Sequence, residues 1–505
     1  MSVLFAGRMH QRAIKTAIWS LTSYLLPLLV SLMAMPFLYR RLGAAEFGVY
    51  SLALLTPAIA SNLDLGLASA SMRRIAGALD SKPDRALGTV LASYGTAIGL
   101  VGFLLGIAIV VATPWLAQSL GFARVLGTEG ARDLLMWCAF WAGLTPGLAM
   151  PSNLMRAAQR FGTITVVQTT MTLFIWCGAI ALVIAGAGVV TVVAFATIVT
   201  VVSSLIYIAL AWPLIRHVTF QVEFRTVGKD LRFSSGLFLM QLASMVAYQL
   251  DRVVISALLS PAAAGNYALC ADLANKLVFT VSSLTAFAFP RSAAMAAGGE
   301  FSGPSRLLQM LVRNLLPLVI ATVVPAMLLA EPFFKLWLGP AYQAEMPQLF
   351  RLLWIGFALV SVSVPASHII IGVGNSSLAA VFSWLTALTS LALLILLLPH
   401  VGLVGAGMAA IGAFSTSLPF LWFVHRALRS ARDRQISRVI AGCAIGSVAQ
   451  GLLIWWLAPE VGSWAAFVLA GATALGTFYL TRIALGLITH EESRLLNLVL
   501  IRMRV

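Results

Sequence analysis

Charged residues are scarce in this chain of 505 residues: they make up only 10% of it, whereas a typical soluble domain carries about 25%. Its four cysteines form no CxxC or other metal-ligand spacing, so we interpret them as small core residues and expect no metal site. The sequence also has no phosphate-binding GxxxxGK(S/T) motif and no cleavable signal pattern. These shortages exclude a soluble enzyme and a disulfide scaffold, and they argue against ATP hydrolysis by this chain.

Apolar residues are abundant instead. They account for 60% of the chain, and the mean hydropathy is +0.95. A water-soluble core cannot hide so much apolar surface, so we expect the chain to lie in lipid, where about 20 apolar residues form a spanning helix. Cutting the chain at charged, Gly-rich or Pro-rich breaks therefore predicts an all-α polytopic membrane protein with about fourteen transmembrane helices, at residues 15–39, 47–71, 86–112, 133–156, 162–185, 189–212, 234–258, 263–288, 307–330, 347–372, 377–399, 403–425, 437–458 and 463–485.

The basic residues indicate how these spans are oriented. If the N-terminus is cytoplasmic, twenty-five of the 33 Lys and Arg residues lie on the cytoplasmic side, six lie outside and two lie within spans. Basic residues collect on the cytoplasmic side of membrane proteins, so we predict that both termini are cytoplasmic. This distribution accounts for the net charge of +16 without a nucleic-acid partner. The segment from His490 to Val505 is too short to span; a surface-lying helix and a solvated end are both open.

The chain also contains an internal repeat. The segment RLGAAEFGVYSLA at 41–53 is similar to LLSPAAAGNYALC at 258–270, with a shared Gly and Tyr at an offset of 217. Further matches at nearly the same offset are Arg74 with Arg291, Pro151 with Pro365, Ala158 with Gly372, and Gly186 with Gly402. A constant period predicts a duplicated unit of six spans.

Because six is an even number of crossings, both copies begin on the same side of the membrane. The repeat therefore predicts two pseudo-symmetric six-helix bundles, related by an axis along the membrane normal and facing each other across a cleft. We expect the N-terminal bundle at 1–215, a cytoplasmic linker at 216–233, the C-terminal bundle at 234–428, and two extra transmembrane helices with a cytoplasmic tail at 429–505.

Charged side chains inside the spans are candidates for function, because each costs about 2.5–3.5 kcal/mol at the bilayer centre. Polar residues at helical spacing form one stripe on span 234–258 and another on span 263–288, and these stripes predict an ionised interior. Span 47–71 is interrupted by polar residues, and two arginines follow the first span. The resulting candidates are Gln241, Tyr248, Asp251, Arg252, Asp272, Asn275, Lys276, Asn62, Asp64, Arg40 and Arg41.

Several candidates also have a purely structural explanation. Asp272 and Lys276 are spaced i, i+4 and could pair with each other. Asp64 could be a helix-end residue bonded to nearby backbone, and Arg40 and Arg41 could be interfacial side chains that reach the water layer. The sequence leaves both explanations open.

Three motifs carry a resemblance to a known family. They are RLGAAEFGVY at 41–50, DLGL at 64–67 followed by Arg73 and Arg74, and AAQRFG at 157–162. With them, and with its fourteen spans, the chain resembles the polysaccharide-exporting branch of the multidrug/oligosaccharidyl-lipid/polysaccharide (MOP) exporter superfamily, the O-antigen type flippases. The resemblance covers most of the chain and implies a MATE-like fold.

The resemblance further implies a flippase that moves undecaprenyl-pyrophosphate-linked oligosaccharide across the bacterial cytoplasmic (inner) membrane by alternating access. Membrane lipids and other polysaccharide assembly proteins are further expected partners. Arg252, Lys276, Arg40 and Arg41 would bind the phosphates, since cations match phosphate oxygens; the amides and Tyr248 would bind sugar hydroxyls. Beyond a coupling proton or sodium ion, no cofactor is expected, and the candidates for that ion are Asp64, Asp251 and Asp272.

Three alternatives remain at this level. A drug or cation antiporter of the same fold would favour carboxylates, whereas this chain offers both signs of charge. Lipid II flipping has closely related chemistry. A membrane enzyme would need a large domain outside the membrane, and the outer loops at 113–132 and 331–346 are too short for one; we therefore expect a transporter and not an enzyme.

Overall fold

The computed structural model describes residues 2–81, 84–296, 302–428, 435–458 and 461–488, without the side chains of residues 2–25, 80–85 and 232–237. Throughout these residues the secondary structure is helical, with no strand. The tail from His490 to Val505 lies outside them. All fourteen predicted spans lie mostly within helices, although several cross a helix break, and the all-α, polytopic fold is confirmed.

The chain divides into two compact units. The first contains residues 1–245 and 260–265, and the second contains residues 246–259 and 266–505. The helices of the first unit, the last of which extends to its boundary and three residues beyond, are α1 (Ser2–Ala53), α2 (Leu55–Asn62), α3 (Leu67–Ser81), α4 (Asp84–Ser119), α5 (Phe122–Leu148), α6 (Met150–Ala157), α7 (Phe161–Ile184), α8 (Val189–Ile215) and α9 (Phe224–Tyr248).

The second unit holds the remaining helices. Helix α11 (Pro261–Thr285) begins in the 260–265 segment, which belongs to the first unit, and continues into the second. Among the described residues, a 3₁₀ turn lies at Gly339–Ala341. The helices are α10 (Leu250–Leu258), α11 (Pro261–Thr285), α12 (Ala288–Ala296), α13 (Ser302–Leu328), α14 (Ala330–Leu338), α15 (Met346–Gly372), α16 (Ser376–Val401), α17 (Leu403–Phe414), α18 (Ser417–Ala427), α19 (Ile436–Leu457) and α20 (Trp464–Ala484).

Breaks within helices explain why the count of spans differs from fourteen. Among the described residues, 11 helical stretches are long and apolar enough to cross a membrane, or 13 if two bent pairs are each one span. The first two predicted spans, 15–39 and 47–71, both overlap with one stretch, Leu26–Asn62, which is interrupted between them at Gly43. Gly43 has φ 79° and ψ 165°, a backbone conformation that essentially only glycine adopts, so the chain changes direction there.

The core of the first unit is formed by aliphatic and aromatic side chains from α3, α4 and α6, including Ile75, Tyr94, Ile98 and Leu154. Helices α4 and α5 pack closely through glycines: a Cβ at Gly102 would lie 2.5 Å from the carbonyl oxygen of Gly143. Small residues at such crossings let helix backbones approach, which is how membrane helices associate in lipid.

In the second unit, α19 and α20 pack on α13. Ala321, Val439, Cys443 and Phe478 form a buried apolar cluster there. The buried amide of Gln450 donates a hydrogen bond of 3.0 Å to the Ala321 carbonyl, and such a bond between membrane helices contributes about 0.6–2 kcal/mol. The two C-terminal helices are therefore joined to this unit by both apolar and polar contacts.

Candidate functional site

The helix break between α9 and α10 places a carboxylate inside the second unit. Gln249 leaves the helical conformation, with φ −130° and ψ −34°, and the two helices meet at a bend of 40°. Asp251 follows in the first turn of α10, where the N-terminal end of a helix favours negative charge. Its Oδ1 accepts a 2.7 Å hydrogen bond from the backbone N–H of Arg252, and its Oδ2 accepts one of 2.5 Å from the hydroxyl of Tyr267.

Arg252 forms an ion pair with Asp272 of α11 through its Nη2. The Arg252 side chain is only 12% exposed and that of Asp272 is 29% exposed. Among the described residues, the Nε of Arg252 is buried without a hydrogen-bond partner. A guanidinium at such a position is neutralised by its carboxylate and still has an unused donor.

The structure thus brings together Asp251, Arg252 and Asp272, three of the predicted site residues, and adds Tyr267. Lys276 lies one turn further along α11 than Asp272, with Asn275 beside it, and both are half-buried. The alternative in which Asp272 pairs only with Lys276 of the same helix is incomplete, because Asp272 accepts a hydrogen bond from Arg252.

Other predicted residues are placed elsewhere. Tyr248, at the end of α9, stacks its ring on Phe414 at 5.4 Å between centroids and lies 6.4 Å from Phe357. Gln241 belongs to the first unit, and within the described part of the chain its Oε1 is buried without a hydrogen-bond partner. A role for either residue in binding sugar stays a prediction.

The polar candidates of the first half lie near helix ends. Arg40 and Arg41 are exposed just before the Gly43 break, and the Arg41 guanidinium lies 5.9 Å from the centroid of the Phe37 ring. Asn62 is the last residue of α2 and is half-buried. These positions fit interfacial side chains as well as they fit a binding role.

Asp64 is the turn residue that connects α2 to α3. It is 3% exposed, and its two carboxylate oxygens accept hydrogen bonds of 2.9 Å from the backbone N–H groups of Gly66 and Ala68. A carboxylate in this position satisfies backbone donors at the start of a helix. The structural explanation of Asp64 therefore has direct geometric support.

The charges of the second unit have no ionisable counterpart in the first copy of the repeat. At the offset of 217, the first-half positions that correspond to Asp251, Arg252 and Asp272 are Ala34, Met35 and Leu55, all buried and apolar. Tyr267 corresponds to Tyr50, whose buried hydroxyl has no hydrogen-bond partner among the described residues. Buried apolar residues therefore fill the corresponding positions of the first copy, and the ionised residues are a feature of the second copy alone.

Sequence reasoning missed a polar network in the first unit. Arg74 of α3 donates from Nε to Asp230 of α9 at 2.6 Å, and the hydroxyl of Tyr94 donates to the same carboxylate. The hydrogen bond from Arg74 holds the pKa of Asp230 below its ordinary value, against the opposing effect of partial burial. Asp230 and Arg74 are 156 residues apart, so no local pattern could reveal the pair.

Tyr267 was a further omission, although a signal for it existed. It belongs to the repeated motif, yet it joins the charge cluster of Asp251, Arg252 and Asp272 only through a contact with Asp251 of a neighbouring helix. Among the described residues, the structure contains no group of three or more His, Cys, Asp or Glu side chains that could hold a metal ion.

The fold is that of polytopic membrane transporters. The structure of the lipid II flippase MurJ in an inward closed conformation is similar with a TM-score of 0.68 at 13% identity, covering 94% of this chain and 99% of that one. A multidrug resistance MATE family transporter of the MOP superfamily, in an inward-facing conformation, has a TM-score of 0.65 at 16% identity, covering 81% and 98%. At these identities the similarity establishes the fold alone.

The family follows from the sequence comparison. The family model described as polysaccharide biosynthesis protein matches residues 13–296, more than half of the chain, and the chain belongs to this family. A putative O-antigen transporter of Shigella flexneri is 24% identical over 431 residues, which cover 82% of this chain and 98% of that protein. The resemblance to the polysaccharide-exporting branch of the MOP superfamily is confirmed.

Proposed function

We propose that this chain is a flippase that moves an undecaprenyl-pyrophosphate-linked oligosaccharide across the bacterial inner membrane by alternating access. Family membership and the relative from Shigella flexneri support a transporter of this type. The observation that carries the proposal is the ion pair between Arg252 and Asp272, which lies within apolar helices and has no counterpart in the other half of the repeat.

The chemistry of this pair suits a pyrophosphate cargo. A guanidinium presents planar donors that match phosphate oxygens, and Arg252 has a buried Nε that is not engaged within the described residues. Lys276, one turn from Asp272, would supply a second positive charge to the same anion. The sugar groups of the cargo would then be bound by neighbouring amides and hydroxyls.

Asp272 links cargo binding to a coupling ion in this proposal. When the phosphate takes the place of Asp272 beside Arg252, the carboxylate loses its counterion in a low-dielectric site. It is then available to bind a proton or a sodium ion, and its return to Arg252 would release the cargo. Asp251 is less suited to this role because the Tyr267 hydroxyl and a backbone N–H already occupy its oxygens.

The test is complementation of a strain that lacks this chain. Surface glycan and accumulated lipid-linked oligosaccharide are measured with the wild type and with Arg252→Ala, Arg252→Lys and Lys276→Ala. Loss of a charged hydrogen-bond partner costs about 1.5–3 kcal/mol, so we expect a ten- to hundred-fold loss of export for Arg252→Ala and partial export for Arg252→Lys. Arg225→Ala, at an exposed residue near the start of α9, is the matched control and should export normally.

Three results would contradict the proposal. Normal export by Arg252→Ala and Lys276→Ala, with normal protein levels, would remove these cations from the mechanism. Accumulation of lipid II in the deletion strain would favour the alternative lipid II flippase. Drug sensitivity without any change in glycan would favour an antiporter.

A further inference from the structure

A polar cavity of about 380 Å³ lies within the first unit, among α5, α6, α7 and α8. Its size is in the range of small-molecule sites, which have volumes of about 300–1,000 Å³. It shares no lining residue with the charge cluster around Arg252, and none of the residues that the sequence predicts for a site lines it.

The hydroxyl groups that line this cavity present acceptor oxygens to it. Six of the seven, all but Ser203, donate the hydroxyl proton to a backbone carbonyl: the bonds run from Thr145 to Trp141, Ser152 to Ala149, Thr172 to Gln168, Thr200 to Ala196, Ser204 to Thr200 and Tyr207 to Ile164. A hydroxyl whose proton is engaged in this way offers only its remaining lone pairs. The lining therefore favours a ligand with several hydrogen-bond donors, such as the hydroxyl groups of a sugar.

One cation accompanies these acceptors. Arg156, in the last turn of α6, lines the cavity together with the amide of Gln168, and none of the described lining residues is acidic. Leu148, Met171 and Ile175 add apolar surface, against which the C–H groups of a sugar ring can pack. A cationic drug would meet Arg156 without a carboxylate to neutralise it, whereas an anionic group would be paired.

We propose that this cavity binds a phosphorylated sugar, with Arg156 on the phosphate and the hydroxyl oxygens of α7 and α8 on the sugar. The inference rests on the proposed function, since the first sugar of a lipid-linked oligosaccharide is attached to its pyrophosphate. Helix α6 continues the stretch Phe122–Ala157, which returns the chain from α4, so it ends on the side where α4 begins, which the basic residues predict to be cytoplasmic. The cavity would thus be an entry site that receives the sugar nearest the lipid on the side where the cargo is made, before the pyrophosphate is bound by Arg252 in a later step of transport.

Binding to the purified full chain in nanodiscs tests this. Two classes of probe are titrated calorimetrically: the soluble 1-phosphates of glucose, galactose and N-acetylglucosamine, and farnesyl pyrophosphate carrying the same sugars. Each titration is repeated with a chain that carries Arg252→Ala, so that probe binding at Arg252 does not mask probe binding in the cavity. Inorganic phosphate serves as the probe without a sugar.

The variants separate the two parts of the site. Thr172→Val with Thr200→Val keeps the shape of both side chains and removes two acceptors; we expect at least a fivefold loss of affinity for the sugar probes and no change for inorganic phosphate. Arg156→Gln should weaken all probes at least fivefold. The controls are Thr191→Val, at an exposed residue of α8, and Arg160→Gln, at an exposed residue after α6; neither lines the cavity, and both should bind as the wild type does.

The outcomes are decisive for the cavity. If the best sugar probe binds the cavity variants as tightly as it binds the controls, or if the wild type binds none of the probes, the inference is wrong. A preference of tenfold or more for the farnesyl-linked sugars identifies the lipid-linked cargo as the source, and equal affinities identify a free sugar phosphate. The proposed function fails by a different result, which is normal export by Arg252→Ala.

Discussion

Asp251 and Asp272, the two carboxylates of the charge cluster, differ in their hydrogen bonding and in their exposure. Both oxygens of Asp251 are engaged, by the Tyr267 hydroxyl and by a backbone N–H, and the residue is 8% exposed. Asp272 is more exposed and faces Arg252. We therefore assign Asp251 a positioning role at the helix break and retain Asp272 as the coupling candidate.

This difference predicts two separable phenotypes. Asp251→Asn should destabilise the protein by about 1.5–3 kcal/mol, because Tyr267 and the α10 N-terminus lose a charged acceptor. Asp272→Asn leaves the buried Arg252 guanidinium without its counterion, so it should also lower the melting temperature, but it alone should abolish the dependence of transport on the ion gradient. Thermal unfolding in detergent and uptake into proteoliposomes with and without a gradient measure the two effects; loss of the gradient dependence in Asp251→Asn as well would contradict the assignment.

The network of Arg74, Tyr94 and Asp230 supplies a prediction about pH. Replacing Asp230 with Asn leaves a partly buried guanidinium without its counterion, so we expect a loss of about 1–3 kcal/mol at pH 7. The folded-state pKa of Asp230 is depressed, so its contribution is present above the ordinary carboxyl pKa and is lost as the pH falls through the lower folded value. The difference between wild type and Asp230→Asn should therefore shrink as the pH falls below about 4.

A suitable control is the ion pair of Glu331 with Lys335, which is 2.7 Å long but exposed on both sides. Exposed ion pairs contribute little to stability, so Glu331→Gln should leave the melting temperature nearly unchanged at pH 7 and at pH 3. A difference for Asp230→Asn that stays constant down to pH 3 would show that its carboxylate is not the source of the stabilisation.

At the scale of helices, the repeated glycines form a close crossing inside the first unit. A Cβ at Gly48 would lie 1.7 Å from the carbonyl oxygen of Pro261, and one at Gly265 would lie 2.7 Å from that of Ala44. These neighbours are backbone atoms, which cannot move aside as a flexible side chain can. The shared glycine of the two sequence motifs is therefore explained by contact between the motifs themselves.

We predict that Gly48→Ala destabilises the protein by about 1–3 kcal/mol or more, because it overpacks this crossing. Gly99→Ala is the control, since a Cβ at Gly99 has no neighbouring atom within 4 Å and alanine is favoured over glycine inside a helix. Fluorescence-detected thermal unfolding compares the two variants. If Gly48→Ala melts at the wild-type temperature, the helices do not cross as closely as described.

The helices were predictable from sequence where a long apolar stretch marks them. Each of the fourteen predicted stretches lies mostly within helices, because hydropathy sets which segments lie in lipid. The interruption at Gly43 lies in the predicted break between the first two spans. The interruption at Gln249 was not predicted, since it lies inside the predicted span 234–258 and no Gly or Pro marks it. Of the candidate site, the polar stripes gave Asp251, Arg252 and Asp272, whereas Tyr267 contributes through a contact between two different helices. Outside the site, Asp230 bonds to Arg74, which is 156 residues away.

At the scale of the whole molecule, the orientation in the membrane remains a prediction. Twenty-five basic residues on one side against six on the other indicate that both termini are cytoplasmic. A fluorescent reporter fused after Lys229 should therefore be active in the cytoplasm, and an alkaline phosphatase fused after Ala262 should be active outside. The reverse pattern would overturn the orientation and the span order on which it depends.

The uneven distribution of charge between the two copies of the repeat also bears on how the protein tolerates mutation. A duplicated architecture suggests redundancy, in which a defect in one copy is rescued by its twin. Here the twins of Asp251, Arg252 and Asp272 are Ala34, Met35 and Leu55, which offer no ionisable group. Loss of a charge therefore has no built-in backup, and suppressor mutations should arise beside the damaged position rather than at its symmetry mate.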